Sequence, residues 1–140
     1  MCIRDSHHSL LLCWKIRTGI KKNVDLFRIK TYLDWFYKYH ILPHFEVEEK
    51  FIFPILGGEN DLIKKAISEH HNLSRLFEEP NVSSENIILI EKELEKHIRF
   101  EERILFNEIQ KVATEKQLES IQANHSDEKF SDNLIDVFWE

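Results

Sequence analysis

The sequence predicts an all-α protein built from long helices that are joined by short loops. Only three Gly and three Pro occur among the 140 residues, and they separate long stretches of chain instead of filling them. Within those stretches apolar residues recur every three or four positions, which is the spacing of one helix face. A hydrophobic content of 42% is sufficient for one domain with a packed core.

Four long helices and a shorter fifth are predicted from their start and stop residues. Gly19 supplies the stop of the first helix, and Pro43 should kink the second because proline lacks a backbone N–H. The fifth helix opens at the capping box formed by Thr114 and Gln117. The four long helices are predicted at about residues 6–18, 24–56, 60–77 and 84–112.

One domain with two short flanking segments is predicted. Residues 6–112 form the domain, and residues 1–5 are expected to be a disordered or artificial N-terminus. Residues 113–140 are expected to contribute a short helix and a tail, and the aromatic residues at the end of that tail should pack on the helices.

The composition argues against several classes of partner. Lys and Arg total 19 against 25 Asp and Glu, so the formal net charge of -6 repels nucleic acid and anionic membranes. No apolar run reaches the roughly 20 residues of a membrane span. The two cysteines, Cys2 and Cys13, are too few for a disulfide framework and favour a cytoplasmic location.

An internal repeat carries the residues with metal-binding chemistry. The ten residues from His44 align without gaps on the ten residues from His97, which lie 53 positions later, and four of the ten positions are identical. Each copy holds one His-x-x-x-Glu pair, His44/Glu48 and His97/Glu101. The chain therefore reads as two helix pairs that each contribute a set of similar residues.

Each His-x-x-x-Glu pair lies in the middle of an apolar stripe. Residues four apart share a helix face, so the His and Glu of a pair can converge on one point, and in the second copy Ile104 continues the stripe. Burying an unpaired carboxylate costs several kcal/mol, so Glu48 and Glu101 need a compensating charge such as a metal cation. Glu49 and Glu102 fall at the edge of the stripe and are the weaker candidates.

Two pairs of adjacent histidines supply further candidate ligands. Of His70 and His71, His70 shares its side of the helix with apolar residues and is expected to face inward. Of His7 and His8, we favour His7 because Lys15 lies along the line of His8 and predicts a solvent-facing side.

The resulting donor set consists of four histidines and two glutamates, which suits two metal ions bridged by two carboxylates. Imidazole and carboxylate donors without thiolate favour iron, manganese or zinc. The alternative is a metal-free bundle in which the histidines and glutamates hydrogen-bond to each other in the core.

These residues resemble the hemerythrin HHE cation-binding domain family. The similarity covers roughly residues 6–112 and rests on His44-Phe-Glu-Val-Glu-Glu-Lys-Phe-Ile-Phe-Pro, on Glu69-His70 and on His97-Ile-Arg-Phe-Glu-Glu-Arg-Ile-Leu-Phe. It implies an up-down-up-down four-helix bundle around a non-haem di-iron centre. It also implies a ligand set in which the glutamates bridge the irons and the histidines are terminal: His7, His44, Glu48, His70, His97 and Glu101.

The resemblance also sets the expected function. Members of this family bind O₂ reversibly, sense O₂, NO or iron, or help to repair iron–sulfur centres. Oxygen carriers of the family have a further His where this chain has Ser74. We therefore expect a di-iron protein that binds or senses O₂, NO or iron, and that is a binding protein more than an enzyme. The alternative is a stress-response protein that reduces NO or peroxide, or supplies iron for cluster repair.

Overall fold

The fold is helical throughout the part of the chain that the computed structural model describes, residues 3–119 and 134–140, with side chains from residue 7. No strand occurs in those ranges, which confirms the all-α class. Predictions for residues 120–133 lie outside the described residues. None of the helices described is both long and apolar enough to cross a membrane.

Helix α1 spans Ile3–Lys21 and is longer at both ends than predicted, since it takes in residues 3–5 of the segment that we expected to be disordered. The prediction that Gly19 stops the helix is wrong. Gly19 lies within the helix, where a Cβ atom would come within 2.8 Å of the Phe138 ring. The helix instead ends before Asn23, whose left-handed backbone, with φ of 56°, is a common conformation after a helix.

The second predicted helix is continuous from residue 26 to residue 55, but its winding changes along its length. Two of its turns are π-helical, which means that each holds an extra residue relative to an α-helical turn. One π turn ends two residues before Pro43, so the helix widens close to the predicted kink. Gly57, with φ of 88°, follows the end of the segment. The segment consists of α2 (Leu26–Phe36), turn π1 (Tyr37–Ile41), α3 (Leu42–Val47), turn π2 (Glu48–Ile52) and a 3₁₀ turn (Phe53–Ile55).

The third and fourth predicted helices match the expected bounds closely. The Asn60 side chain accepts a hydrogen bond from the Leu62 N–H, and the Ser83 hydroxyl accepts one from the Asn86 N–H, so each helix begins at a capping residue. The fourth helix contains another π turn in its second half. The elements are α4 (Asp61–Phe77), α5 (Ser84–Phe100), turn π3 (Glu101–Leu105) and α6 (Phe106–Val112).

The C-terminal segment begins and ends as predicted. Thr114 Oγ1 accepts a hydrogen bond from the Gln117 N–H, the Gln117 side chain accepts one from the Thr114 N–H, and residues 115–119 are helical. At the other end Phe138 is buried, and its ring centroid lies 5.5 Å from that of Tyr32. The tail therefore packs on α2 through its aromatic residues.

Two apolar clusters form the core and leave a polar layer between them. The larger one draws on α1, α2, α4, α5 and the tail, and α5 packs against both α1 and α4. The smaller one lies around α6 and the π2 and π3 turns. Candidate ligands fall between the two clusters on three separate helices, where the flanking cluster residues are Phe45 and Ile52, Ala66 and Leu73, and Leu94 and Phe100.

Candidate metal centre

Four buried side chains converge between the two apolar clusters. They are Glu48, His70, His97 and Glu101, and each offers one ligand atom that lies within 4.8 Å of the other three. Each residue is at most 3% exposed. Three stretches of helix supply them: turn π2, helix α4, and α5 with turn π3. The structure thus brings together four of the six predicted ligands.

Glu48 and Glu101 occupy equivalent backbone positions, because each is the first residue of a π turn. Turns of this kind often occur at functional sites. The side chain of Glu49 is 39% exposed and that of Glu102 is 33% exposed, whereas Glu48 and Glu101 are buried. The structure therefore points the preferred member of each Glu-Glu pair inward.

The π3 turn displaces one residue of the predicted apolar stripe. We expected Ile104 to continue the buried stripe of His97 and Glu101, but Ile104 is 47% exposed and Leu105 is buried in its place. The extra residue in the turn advances the register by one position. The regular helical period therefore fails beyond Glu101, and the prediction for Ile104 is wrong.

His70 lies between the two carboxylates. Its Nε2 atom is 3.7 Å from Glu48 Oε1 and 3.5 Å from Glu101 Oε1. His97 Nε2 lies 2.5 Å from Glu101 Oε1, and His44 Nε2 lies 2.8 Å from Glu48 Oε1. His44 therefore adjoins the centre through Glu48, although it is outside the group of four whose ligand atoms are mutually close.

Most of the converging atoms lack an aligned hydrogen bond. Both carboxylate oxygens of Glu48, one oxygen of Glu101 and the Nε2 atoms of His70 and His97 are buried with no such partner among the described residues. Buried polar atoms in native proteins are nearly always satisfied by hydrogen bonds, water or an ion. A cation between these atoms would satisfy them together, so the residues present fit a metal ion.

Protonation differs sharply between the two carboxyl groups. Burial raises the pKa of Glu48, and the nearby charge of Glu101 raises it further. Burial would also raise the pKa of Glu101, but the charge of His97 and hydrogen bonds hold it well below its ordinary value. Burial alone would lower the pKa of His97, yet the charge of Glu101 and its hydrogen bonds raise it to about 10. Without metal, the charge of Glu101 is therefore balanced by His97.

Aromatic rings hold His70 in place. The Phe45 ring stacks on the imidazole with centroids 3.8 Å apart and an interplanar angle of 8°, and the Phe53 ring stacks 5.4 Å away. The His97 ring is edge-on to His70 at 4.9 Å. These contacts fix the plane of the His70 ring between the two carboxylates.

Each inner histidine also contacts a carboxylate through its second ring nitrogen. His97 Nδ1 lies 2.7 Å from Glu69 Oε1, and His70 Nδ1 lies 3.4 Å from Glu49 Oε1. Sequence reasoning gave Glu69 no role, because its position beside His70 says nothing about the distant His97. Its location on α4, facing α5, is a tertiary feature.

The structure does not bring His7 into the centre. Its side chain is exposed, and His8 is the more buried of the two, with its Nδ1 shielded from solvent. The expectation that Lys15 marks the solvent side of α1 is wrong. Lys15 is buried, donates a 2.9 Å hydrogen bond to the Tyr32 hydroxyl and lies 4.0 Å from the Trp139 ring centroid. The preference for His7 over His8 therefore loses its basis.

No protein-family model, curated protein or solved structure matches this chain. The resemblance to the hemerythrin family consequently stays a prediction from the sequence motifs. The structure contributes a helical fold and a buried group of histidines and glutamates that could hold a metal ion.

Proposed function

We propose that this chain is a hemerythrin-like four-helix bundle, up-down-up-down in topology, that binds two non-haem iron ions and through them a small ligand such as O₂ or NO. The observation that carries the proposal is the set of buried, unsatisfied oxygen and nitrogen atoms that face one another on Glu48, His70, His97 and Glu101. We propose a cytoplasmic protein without nucleic-acid or membrane partners, on its composition.

A metal ion accounts for this group better than a metal-free polar core does. Hydrogen-bonded His–Glu pairs in the core would satisfy the atoms that they bury, as buried polar groups generally are. Here Glu48 is fully buried, and although His44 Nε2 lies 2.8 Å from its Oε1, its Oε2 has no hydrogen-bond partner among the described side chains. Leaving such a group unsatisfied costs free energy that metal coordination would recover.

Iron is the proposed metal because the donors are imidazole and carboxylate, with manganese and zinc as substitutes. Cys13 is buried outside the group of four, and burial with the charge of Glu91 raises its thiol pKa to about 12. A thiol in that state is a poor ligand, since metals bind the thiolate. The donor set therefore disfavours a copper(I) or iron–sulfur site.

The surroundings of the centre favour a small ligand. Phe45 and Phe53 cover His70, and the two apolar clusters lie on either side of the group. Bound iron would supply the redox chemistry toward O₂ or NO, while these side chains exclude water and larger molecules. The chain's contribution is thus a dry, confined site.

A second candidate function has one observation in its favour. Ser74 stands where oxygen carriers of the resembled family have a further histidine, and His7 lies outside the group. A centre with fewer histidines leaves more metal positions open to reactants. This favours the stress-response alternative, in which the protein reduces NO or peroxide or supplies iron for iron–sulfur repair.

Metal analysis of the purified protein tests the proposal directly. Protein produced with added iron should contain two iron ions per chain, while Glu48→Gln and Glu101→Gln should lose most of the metal. Glu46→Gln is the matched control, because Glu46 is exposed and lies two residues before Glu48. A parent protein that binds neither iron nor manganese nor zinc would rule the proposal out.

Exposure of the iron-loaded protein to O₂ or NO then separates the two functions. A reversible change in visible absorption without turnover supports ligand binding. Sustained consumption of NO or peroxide with an added electron donor supports the stress-response alternative.

A further inference from the structure

The two inner histidines differ in how their outer ring nitrogens are held. His97, on α5, has its Nδ1 atom 2.7 Å from Glu69 Oε1 on α4. His70, on α4, has its Nδ1 atom 3.4 Å from Glu49 Oε1 in turn π2. In both cases the carboxylate comes from a different helical element than the histidine, so the contact joins two elements across the centre.

A carboxylate at Nδ1 determines which ring nitrogen faces the metal site. An ionised carboxylate only accepts hydrogen bonds, so the Nδ1 atom beside it must carry a proton. When a metal ion replaces the proton on the other nitrogen, the lone pair that binds it is on Nε2, which in His97 is the atom 2.5 Å from Glu101 Oε1. Metal-binding histidines are commonly oriented in this way by an outer carboxylate.

We propose that Glu69 is the positioning residue of the centre: it fixes the ring orientation and proton position of His97, and Glu49 does the same more weakly for His70. This inference rests on the proposed metal-binding function.

Packing predicts that Glu69 is the more important of the two. The ring plane of His70 is already fixed by stacking on Phe45 at 3.8 Å and on Phe53 at 5.4 Å. The aromatic contacts that His97 makes with Phe45 and with His70 are edge-on, at 5.9 Å and 4.9 Å, so its orientation depends more on the hydrogen bond to Glu69. The Glu69 side chain is also better shielded, with 22% of its surface exposed against 39% for Glu49.

Cobalt(II) binding is a suitable test, because the visible spectrum of bound Co²⁺ reports the geometry of its ligands and its release to a chelator reports affinity. Full-length parent, Glu69→Ala, Glu69→Gln, Glu49→Gln and Glu102→Gln proteins are loaded with Co²⁺, their spectra recorded, and the metal withdrawn by a chelator. Glu102→Gln is the matched control, because Glu102 is the repeat equivalent of Glu49 and contacts Arg99 at 3.5 Å.

We expect Glu69→Ala to weaken Co²⁺ binding by about 10- to 100-fold and to alter the spectrum, without lowering the number of ions bound at saturation. Glu69→Gln should have a smaller effect, because the amide oxygen can still accept from Nδ1. Glu49→Gln should have a smaller effect than Glu69→Ala, and Glu102→Gln should match the parent. Thermal unfolding of the metal-free proteins identifies any variant that is misfolded. If Glu69→Ala is misfolded, the comparison is made with Glu69→Gln instead.

Two outcomes would overturn the inference, and they are distinguishable. If the parent binds Co²⁺ and both Glu69 variants match it in affinity and spectrum, the positioning role fails while the metal-binding proposal stands. If the parent binds no Co²⁺, and neither iron nor manganese nor zinc, then the metal-binding proposal fails and the positioning role fails with it.

Discussion

The two copies of the His-x-x-x-Glu repeat have the same backbone geometry but different surroundings. In the second copy the side chains of His97 and Glu101 are 3% and 5% exposed, and Glu69 holds the far side of the histidine. In the first copy Glu48 is fully buried, but the His44 side chain is 24% exposed. A π turn begins at the glutamate in both.

This difference shows that the repeat determines where a candidate ligand points but not how firmly its side chain is held. The His-x-x-x-Glu spacing, on α-helix up to the start of the π turn, places each glutamate on the inward face, and this spacing is a property of the local chain. Burial and the outer hydrogen bond depend on which helix packs alongside, and α4 supplies Glu69 to the second copy. We therefore expect the second copy to dominate metal binding.

Removal of each histidine is the strongest test of that comparison. His97→Ala should abolish iron binding, because it removes a proposed ligand that lies against both Glu101 and His70. His44→Ala should retain part of the iron, since the four-residue group remains complete. Metal content per chain is the measurement. Equal losses in the two variants would contradict the comparison.

Removal of each glutamate should affect the stability of the metal-free protein differently. Glu101→Ala leaves the buried His97 charge without its nearest partner, a change that typically costs about 3–5 kcal/mol. Glu48→Ala should cost less, because burial and the Glu101 charge raise the pKa of Glu48 and favour its neutral form. Urea unfolding of the metal-free variants measures both losses, with Glu46→Ala as an exposed control. A larger loss of unfolding free energy in Glu48→Ala would mean that Glu48, and not Glu101, carries the buried negative charge.

Turns π2 and π3 should contribute equally to stability, whereas the candidate ligands of the two copies should not. Ile52 and Leu105 are buried at equivalent repeat positions, so replacing either by Ala should cost at least about 2 kcal/mol. Phe51 and Ile104 precede them and are exposed, so replacing either by Ala should change stability by no more than about 0.5 kcal/mol. Chemical denaturation of the four variants checks the register. A costly Ile104→Ala would mean that π3 is an ordinary α-helical turn.

The unfolding free energy of the metal-free protein should change gradually with pH, because of the protonation of His97. The pKa of His97 is about 10 in the folded protein, against 6.5 for an unperturbed histidine, so folding favours its protonated form. Its contribution is fully present below about pH 6.5 and is lost as the pH rises toward 10. The slope is at most about 1.4 kcal/mol per pH unit. Unfolding free energies at pH 7, 8 and 9 should therefore fall in the parent and fall less in His97→Gln.

Helical periodicity was enough to predict the inner group. His70 and His97 lie on regular α-helix, and Glu48 and Glu101 lie where α-helix gives way to a π turn, so counting helix faces placed all four inward. Start and stop residues predicted the bounds of α4 and of the long helix that runs from α5 to α6, and the expected packing of the terminal aromatic residues agrees with the burial of Phe138.

The errors arose where distant parts of the chain meet or where the helix changes its winding. Lys15 is buried by Tyr32 and Trp139, one of which is more than a hundred residues away in the chain, so no local pattern could reveal its burial. Ile104 was misplaced because a fixed period does not anticipate a π turn. The role of Glu69 depends on the packing of α4 against α5.

The π turns also bear on how the chain would tolerate changes of length. A deletion within α5 would rotate every later residue of the helix by about 100° around its axis and turn the second half of the helix away from the core. A deletion within Glu101–Leu105 would instead convert the wide π turn to ordinary α-helical winding. It would therefore displace α6 less than a deletion elsewhere in the helix. Among sequences that keep the same four inward residues, single-residue gaps should therefore concentrate just after the two glutamates.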